Sequence, residues 1–268
     1  MFDGKTVARA QLFENSANAR ASYYSLTFVI SKPILVYNMI RALPEDNPGP
    51  HSAETTFHTG TELPNAWGGM ILIHGRGATA KSMLTLTDHL ELEHFHIAAP
   101  QADGYTWYPY SFLEPTERNE PGITSGLATI DQLVRSFEAA GLDSSCIFLL
   151  GFSQGACLAA EYAARAAYRD NGHGLRLGGV FSLSGGVIGA PDEPREYAGS
   201  LHGTPVVLGC SDVDKHIPES RVHETATQLE ELNANVDEQI YPGMGHTING
   251  DEIDRINYVL RANQSESD

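Results

Sequence analysis

Apolar residues along the chain fall into short runs separated by longer amphipathic stretches. Gly69–His74 is an apolar run that ends in Gly75-Arg76-Gly77, which predicts a strand followed by a turn. Residues 80–92 have helical character, with Leu84 and Leu86 among the apolar positions, and 94–99 read as a strand closed by Pro100. Helical spacing returns at Leu127, Ile130, Leu133, Val134 and Phe137, predicting a helix over 123–140. Cys146–Leu150 is continuously apolar, as expected of a strand covered on both faces of a sheet. An alanine-rich helix over 154–169 follows, then strand-like runs at 177–183 and 205–208. A helix over 221–232, a strand over 236–241 and a last helix over 252–261 complete the series. Strands alternating with helices at this spacing predict an α/β fold with a mostly parallel central sheet flanked by helices.

The first fifty residues break the pattern. Two apolar stretches, Leu26–Ile30 and Ile34–Tyr37, are divided by Ser31-Lys32-Pro33, which spoils both a signal-peptide core and a membrane span. They read as two short strands, or a strand and a loop. Residues 41–51, rich in Pro, Gly, Asp and Asn, read as a linker. The expected organisation is an atypical N-terminal extension and linker over 1–51 and one catalytic domain over 52–268. Truncation before His51 would tell whether the extension is a lid, an oligomer contact, a membrane-surface contact or dispensable.

Composition narrows the function classes. The 268 residues carry 34 acidic and 17 basic side chains, a formal charge of −17, which argues against a nucleic-acid partner. The acidity is local: residues 1–63 hold six acids and five bases, whereas 64–268 hold 28 and 12. Two explanations stand, a solvated acidic surface or adaptation to high salt, where screening relieves self-repulsion. With mean hydropathy −0.23 and no apolar run of 18 residues, integral membrane association is not expected. Cys146, Cys157 and Cys210 are too few and scattered for a disulfide framework or a zinc site, and fit buried thiols in a reducing, cytoplasmic setting.

The chemistry centres on Gly151-Phe152-Ser153-Gln154-Gly155, a G-x-S-x-G motif between a buried strand and a helix. That context describes a nucleophile elbow, with the serine at a helix start where N–H groups favour a developing oxyanion. Away from such a setting the same residues would make a glycine turn with an N-capping serine. A serine hydroxyl needs a base oriented by a carboxylate, in the chain order Ser, Asp or Glu, His. His246, in Tyr241-Pro242-Gly243-Met244-Gly245-His246, follows the last strand and is the expected base. His173, His202, His216 and His223 lack that setting, and His216 and His223 are expected to face solvent. Asp212 and Asp214 compete for the carboxylate on the loop after residue 208. The oxyanion hole is expected at the backbone N–H groups of Gln154 and Arg76. The Arg76 guanidinium suits a structural bond or the capture of an anionic substrate.

Four segments, 71–78 (I-L-I-H-G-R-G-A), 151–156 (G-F-S-Q-G-A), 209–218 (G-C-S-D-V-D-K-H-I-P) and 241–246 (Y-P-G-M-G-H), together resemble the phospholipase/carboxylesterase family of α/β-hydrolases. That family also contains acyl-protein thioesterases and dienelactone-hydrolase-like esterases. The resemblance covers about residues 52–262 and implies an α/β-hydrolase fold. Its D-x-x-[V/I]-P setting matches Asp214, Ile217 and Pro218 and favours Asp214 as the acid, leaving Asp212 to support the loop. Lys215 stands where members often carry proline, and Ser153 replaces the cysteine of true dienelactone hydrolases. Residues 1–50 have no counterpart. The aromatic run Tyr105–Phe112 resembles a loop that borders the site in related esterases, so Trp107, Tyr108, Tyr110 and Phe112 are candidate substrate contacts, with Trp107 and Tyr108 foremost. The implied activity is hydrolysis of short- to medium-chain or aryl carboxylic esters through an acyl-enzyme, with a small-molecule partner and no metal or organic cofactor. Alternatives are a lysophospholipase or acyl-thioesterase acting on long chains, and a non-catalytic hydrolase-fold binding protein.

Overall fold

Seven strands form one sheet in the computed structural model, which describes residues 40–265. They are β1 (Thr56–Gly60), β2 (Gly68–Ile73), β3 (Phe95–Pro100), β4 (Ile147–Phe152), β5 (Gly179–Leu183), β6 (Pro205–Ser211) and β7 (Asn235–Tyr241). Their spatial order is β1-β3-β2-β4-β5-β6-β7, with β1 antiparallel to β3 and every other pair parallel. Covering the sheet are α1 (Ala80–Leu84), α2 (Gly122–Ala139), α3 (Gln154–Ala166), α4 (Glu219–Glu231) and α5 (Gly250–Ser265). This is an α/β-hydrolase fold, and the expected fold class holds.

The strand pleat sorts the core into two layers. Ile71, Ile73, Leu149, Val180, Val206 and Leu208 point to the side of α2, α3 and α4. Met70, Leu72, Phe148, Leu150, Phe181 and Val207 point to the other side, where Ile256 and Leu260 of α5 meet them. Because successive strand side chains alternate faces, both faces of β2 and β4 are apolar and both strands read as unbroken runs.

The differences from expectation have local causes. The predicted helix over 80–92 stops at Leu84 and tightens to a 3-10 helix over Thr85–His89. There the hydroxyls of Thr85 and Thr87 donate to the carbonyls of Ser82 and Leu84, both at 2.7 Å. Such local side-chain bonds compete with the helical ladder. The predicted helix over 154–169 ends at Ala166, ahead of Asp170 and Asn171 at φ 54° and 59°. Strand β1 was not expected, because Thr56-Phe57-His58-Thr59-Gly60 is an edge strand with four of its five residues exposed and no apolar alternation. Residues 41–51 hold no regular element, as a linker should, yet they are bonded to the domain. The His51 amide donates to Ser125 Oγ at 2.8 Å and its buried ring contacts the Trp107 carbonyl oxygen through Nε2 at 2.8 Å. Arg41 donates to the carbonyl of Ile188 at 2.6 Å. The apolar stretches at 26–30 and 34–37 lie outside the described residues.

Two glycines set the distance between sheet and helix. A Cβ on Gly155 would stand 2.1 Å from the Ile73 carbonyl oxygen, and one on Gly151 would stand 2.2 Å from the Gly155 carbonyl oxygen. Both obstacles are backbone, so no rotamer change relieves them. Gly155→Ala is therefore expected to destabilise the domain by about 3 kcal/mol, at the upper end of overpacking costs. Chemical denaturation reads this directly, and an unchanged midpoint would show that α3 has room to shift.

Candidate active site

Strand β4 delivers Phe152 and then turns at Ser153, whose φ of 56° and ψ of −116° are strained for a residue with a side chain. The strain is held by the close packing of Gly151 and Gly155 and by the Ser153 amide, which donates to the Leu183 carbonyl at 3.0 Å. The Ser153 hydroxyl makes no capping bond to α3. Instead Oγ stands 2.9 Å from His246 Nε2, and His246 Nδ1 stands 2.7 Å from Asp214 Oδ2.

Each partner is fixed from behind. The Asp214 side chain is fully buried, and its Oδ1 accepts the amides of His216 at 2.8 Å and Ile217 at 3.1 Å. Burial alone would raise its pKa. The His246 contact and the two amides outweigh burial and hold the carboxyl below its ordinary range. An ionised Asp214 only accepts, so Nδ1 of His246 carries the proton and Nε2 is left to accept from Ser153. Ser211 Oγ receives the Gly245 amide at 2.9 Å, and Asp212 Oδ1 receives the Gly243 amide at 2.7 Å. Asp212 thus ties its loop to the histidine loop, and Asp214, not Asp212, faces His246.

The turn after β2 brings Arg76 opposite the helix start. The neighbouring amides are engaged, Gly77 with the Tyr105 carbonyl at 2.7 Å and Ala78 with the Gly75 carbonyl at 3.1 Å. Gln154 is the first residue of α3, where N–H groups lack intrahelical acceptors. Buried His74 shapes this turn: its Nδ1 bonds the Gly75 carbonyl at 2.8 Å and its Nε2 accepts the Ala102 amide at 3.0 Å. Burial lowers its pKa, which keeps the ring neutral as these two bonds require.

A cavity of about 440 Å³ opens at Ser153 and His246, walled by Arg76, Tyr108, Pro109, Phe112, Cys157 and Ile217 among others. Tyr108 and Phe112 are buried on this wall, and Tyr110, half exposed, stands at its edge. Trp107 is a correction to the expected wall. It is fully buried, donates from Nε1 to the His74 carbonyl at 2.9 Å and does not line the cavity. Its place is fixed by Gln154, whose Oε1 accepts the Trp107 amide at 2.8 Å while Nε2 donates to the Tyr108 carbonyl at 2.8 Å. The aromatic loop is thereby riveted to the elbow, and Trp107 is the rivet's core side. The Arg76 guanidinium donates to the Pro109 carbonyl at 2.7 Å and to that of Tyr110. It holds the loop, the structural alternative of the two expected roles.

Three features escaped the sequence. His216, exposed as expected, also lines the cavity, its ring centroid 4.8 Å from that of His246. Cys157 is buried one helical turn beyond Ser153, its thiol pushed up to about 11 by burial. Glu252 lies at the start of α5 with Oε2 accepting the Asn249 amide at 2.8 Å and Oε1 buried without a partner. A larger cavity of about 550 Å³, between residues 50–57 and 101–105, contains none of Ser153, Asp214 and His246. Among the described residues no group of three or more His, Cys, Asp or Glu is placed to hold a metal ion. No helix among them is long and apolar enough to cross a membrane.

Comparison with known proteins gives the family. The sequence profile of the phospholipase/carboxylesterase family matches residues 65–264. The chain belongs to that family. It is 38% identical to a phospholipase/carboxylesterase of Dyadobacter fermentans, whose crystal structure superposes with a TM-score of 0.73 over 80% of this chain and all of that one. A carboxylesterase of Bacillus cereus shares the fold at 17% identity and a TM-score of 0.60, over 77% of this chain and 93% of that one. Acyl-protein thioesterase 1 of Saccharomyces cerevisiae is 21% identical over 222 residues, 73% of this chain and 92% of the yeast protein.

Two predictions follow from the geometry. Asp214→Asn should lower kcat by about 10⁴-fold, the scale seen when a triad carboxylate is neutralised. Asp212→Asn should cost far less, and equal losses in steady-state kinetics would reverse the assignment. The second concerns Glu252, whose pKa burial raises to about 7, against the Asn249 amide and with the help of Asp251. An unfolded glutamate ionises near ~4.3. Between that pH and about 7 the unfolded state releases a proton that the folded state keeps, so stability falls as pH rises. Glu252→Gln should flatten this slope in thermal midpoints measured from pH 4.5 to 7.5; an unchanged slope would assign it to other groups.

Proposed function

We propose that the chain is a serine carboxylesterase acting on short- to medium-chain or aryl esters, with Ser153, His246 and Asp214 as its triad. The observation that carries this reading is the His246 ring, within bonding distance of both Ser153 Oγ and Asp214 Oδ2, with Ser153 and His246 lining the cavity. Ser153 Oγ attacks the ester carbonyl while His246 Nε2 takes its proton, and buried Asp214 stabilises the imidazolium. The N–H groups of Arg76 and Gln154 receive the oxyanion, at a helix start whose dipole favours negative charge. His246 then returns the proton to the departing alcohol. Water repeats the sequence on the acyl-enzyme and releases the acid.

The chain-length reading rests on the lining of the cavity. Phe112 is 5% and Ile217 3% exposed, and with buried Cys157 they supply apolar lining around Ser153. A wall that sets these apolar groups among Arg76, Gln154 and His216 offers limited apolar area, which suits a short acyl chain or an aromatic ring. A second reading, a thioesterase for long acyl chains, draws on the likeness to the yeast acyl-protein thioesterase.

A series of p-nitrophenyl esters from acetate to palmitate tests both. A kcat/KM that peaks by octanoate and falls beyond decanoate supports the proposal; a continued rise supports the long-chain reading. Ser153→Ala should remove turnover by about 10⁶-fold, as loss of an activated nucleophile does. Unchanged turnover in that variant would refute the triad, and no turnover in either protein would favour a binding role.

A further inference from the structure

Arg41 lies ahead of the family-matched region, which begins at residue 65. Its guanidinium nevertheless enters the domain, with only 11% of the side chain exposed. Nη1 donates to the Ile188 carbonyl at 2.6 Å and to Glu161 Oε1 at 3.3 Å, while Nη2 donates to Glu193 Oε1 at 2.9 Å. Backbone pairing holds the chain in place beside it, the Arg41 amide donating to the Glu196 carbonyl at 2.8 Å.

The partners of Arg41 lead to the cavity wall. Glu161, fully buried on α3, also accepts the Ile188 amide at 2.9 Å, the Tyr197 hydroxyl at 2.7 Å and Arg165 Nε at 2.8 Å. Glu193 accepts the amides of Thr116 at 3.0 Å and Ala190 at 3.1 Å, and the Thr116 hydroxyl. Between them, the Gly189 amide donates to the Phe112 carbonyl at 2.8 Å. Gly189 is crowded by the same groups: a Cβ there would stand 3.0 Å from Glu193 Oε2 and 3.1 Å from Arg41 Nη2. Arg221 donates to the Val187 carbonyl at 2.8 Å and that of Gly189 at 2.9 Å, and its guanidinium lies 5.6 Å from the Phe112 ring centroid. Two segments, 111–116 and 187–193, are therefore fastened to each other and to α3, and Arg41 is the cation that bridges both carboxylates of the fastening.

We infer that Arg41 is a positioning residue, which fixes Phe112 on the cavity wall and so limits the acyl chain the site admits. The inference rests on the esterase reading for its consequence, but the fastening itself is independent of it. Among the described residues, removing the guanidinium leaves Glu193 without a cationic partner and takes one of two from buried Glu161. Weakening the set of bonds around a fully buried charge is unfavourable, and the loss of the Ile188 and Glu193 contacts loosens the 187–193 segment. Phe112 is then free to retreat, and longer chains enter. Upstream sequence in this protein is thus part of the specificity apparatus.

Three variants test this: Arg41→Ala, Arg41→Lys, and Glu138→Gln as a control. Glu138 pairs with buried Arg169 through two bonds, so its loss disturbs an ion pair of the same kind without touching either segment. The readout is the ratio of kcat/KM for p-nitrophenyl octanoate over butyrate. Arg41→Ala should raise it by about fivefold or more, the scale at which a pocket wall discriminates methylene groups. Turnover of the acetate should stay within twofold of wild type. Arg41→Lys, which keeps the charge but reaches fewer acceptors at once, should shift the ratio the same way by less, and it carries the comparison should Arg41→Ala not fold. Amide exchange at Gly189, measured in the same proteins without substrate, should accelerate in both Arg41 variants and not in Glu138→Gln. An unchanged ratio with unchanged Gly189 exchange, or an equal shift in Glu138→Gln, overturns the inference. Faster exchange in a protein that hydrolyses no ester would instead uphold the fastening and defeat the esterase reading.

Discussion

Everything at this site depends on how closely α3 approaches the end of β2 and β4. The carbonyls of Ile73 and Gly155 occupy the space where Cβ atoms at positions 155 and 151 would lie, so the helix starts directly against the sheet. Packed this way, the chain can pass from β4 into α3 only through a sharp turn. The residue at its apex takes a left-handed φ that a serine adopts at a cost. The cost is met by the buried alanines of α3 and by the core layers on both faces of the sheet. In return the hydroxyl stands clear of the helix, beside N–H groups that no helical carbonyl uses.

The other parts of the site are tied to that turn by backbone hydrogen bonds rather than by side-chain packing alone. Gln154 grips the aromatic loop at Trp107 and Tyr108, and Arg76 grips it at Pro109 and Tyr110. Asp212 and Ser211 grip the loop that carries His246, while two amides seat Asp214. A side chain locked by several such bonds loses little freedom when it meets a reacting group, the condition for pre-organised electrostatics. The polar residues near Ser153 therefore divide into those that point at the cavity and those that hold the loops carrying them.

Charge is used in two ways. The formal excess of acid is large, yet buried carboxylates are satisfied individually: Glu161 by the cations Arg41 and Arg165, Asp214 by N–H donors from His246, His216 and Ile217. Glu252 is the exception, and burial without a partner for Oε1 pushes it toward the neutral form. Arg41 matters in this scheme because residues 41–51, by composition a linker, supply both it and His51. A stretch without regular structure can be as firmly placed as a helix when its polar groups find buried partners.

Local pattern alone determined the α/β class, most strand positions and the strand–serine–helix context of Ser153. These depend on short-range facts: apolar alternation, glycine at points of close approach and the spacing of strands and helices. His246 was legible for the same reason, as a glycine-flanked histidine after the last strand. Edge strand β1 was not, because an exposed strand pairs through its backbone and needs no apolar pattern. Composition marks Tyr105–Phe112 as aromatic, but a sequence cannot say which ring faces the cavity and which the core. Tertiary contacts decided that Trp107 turns inward to the His74 carbonyl while Phe112 lines the cavity. They also decided that Arg41 reaches Glu161 from 120 residues away, whereas the choice of Asp214 over Asp212 was already favoured by the family's spacing to Ile217 and Pro218. The Arg41–Glu161 pairing and the facing of each ring are set by the path of distant loops across the sheet, and no local property of the residues encodes them.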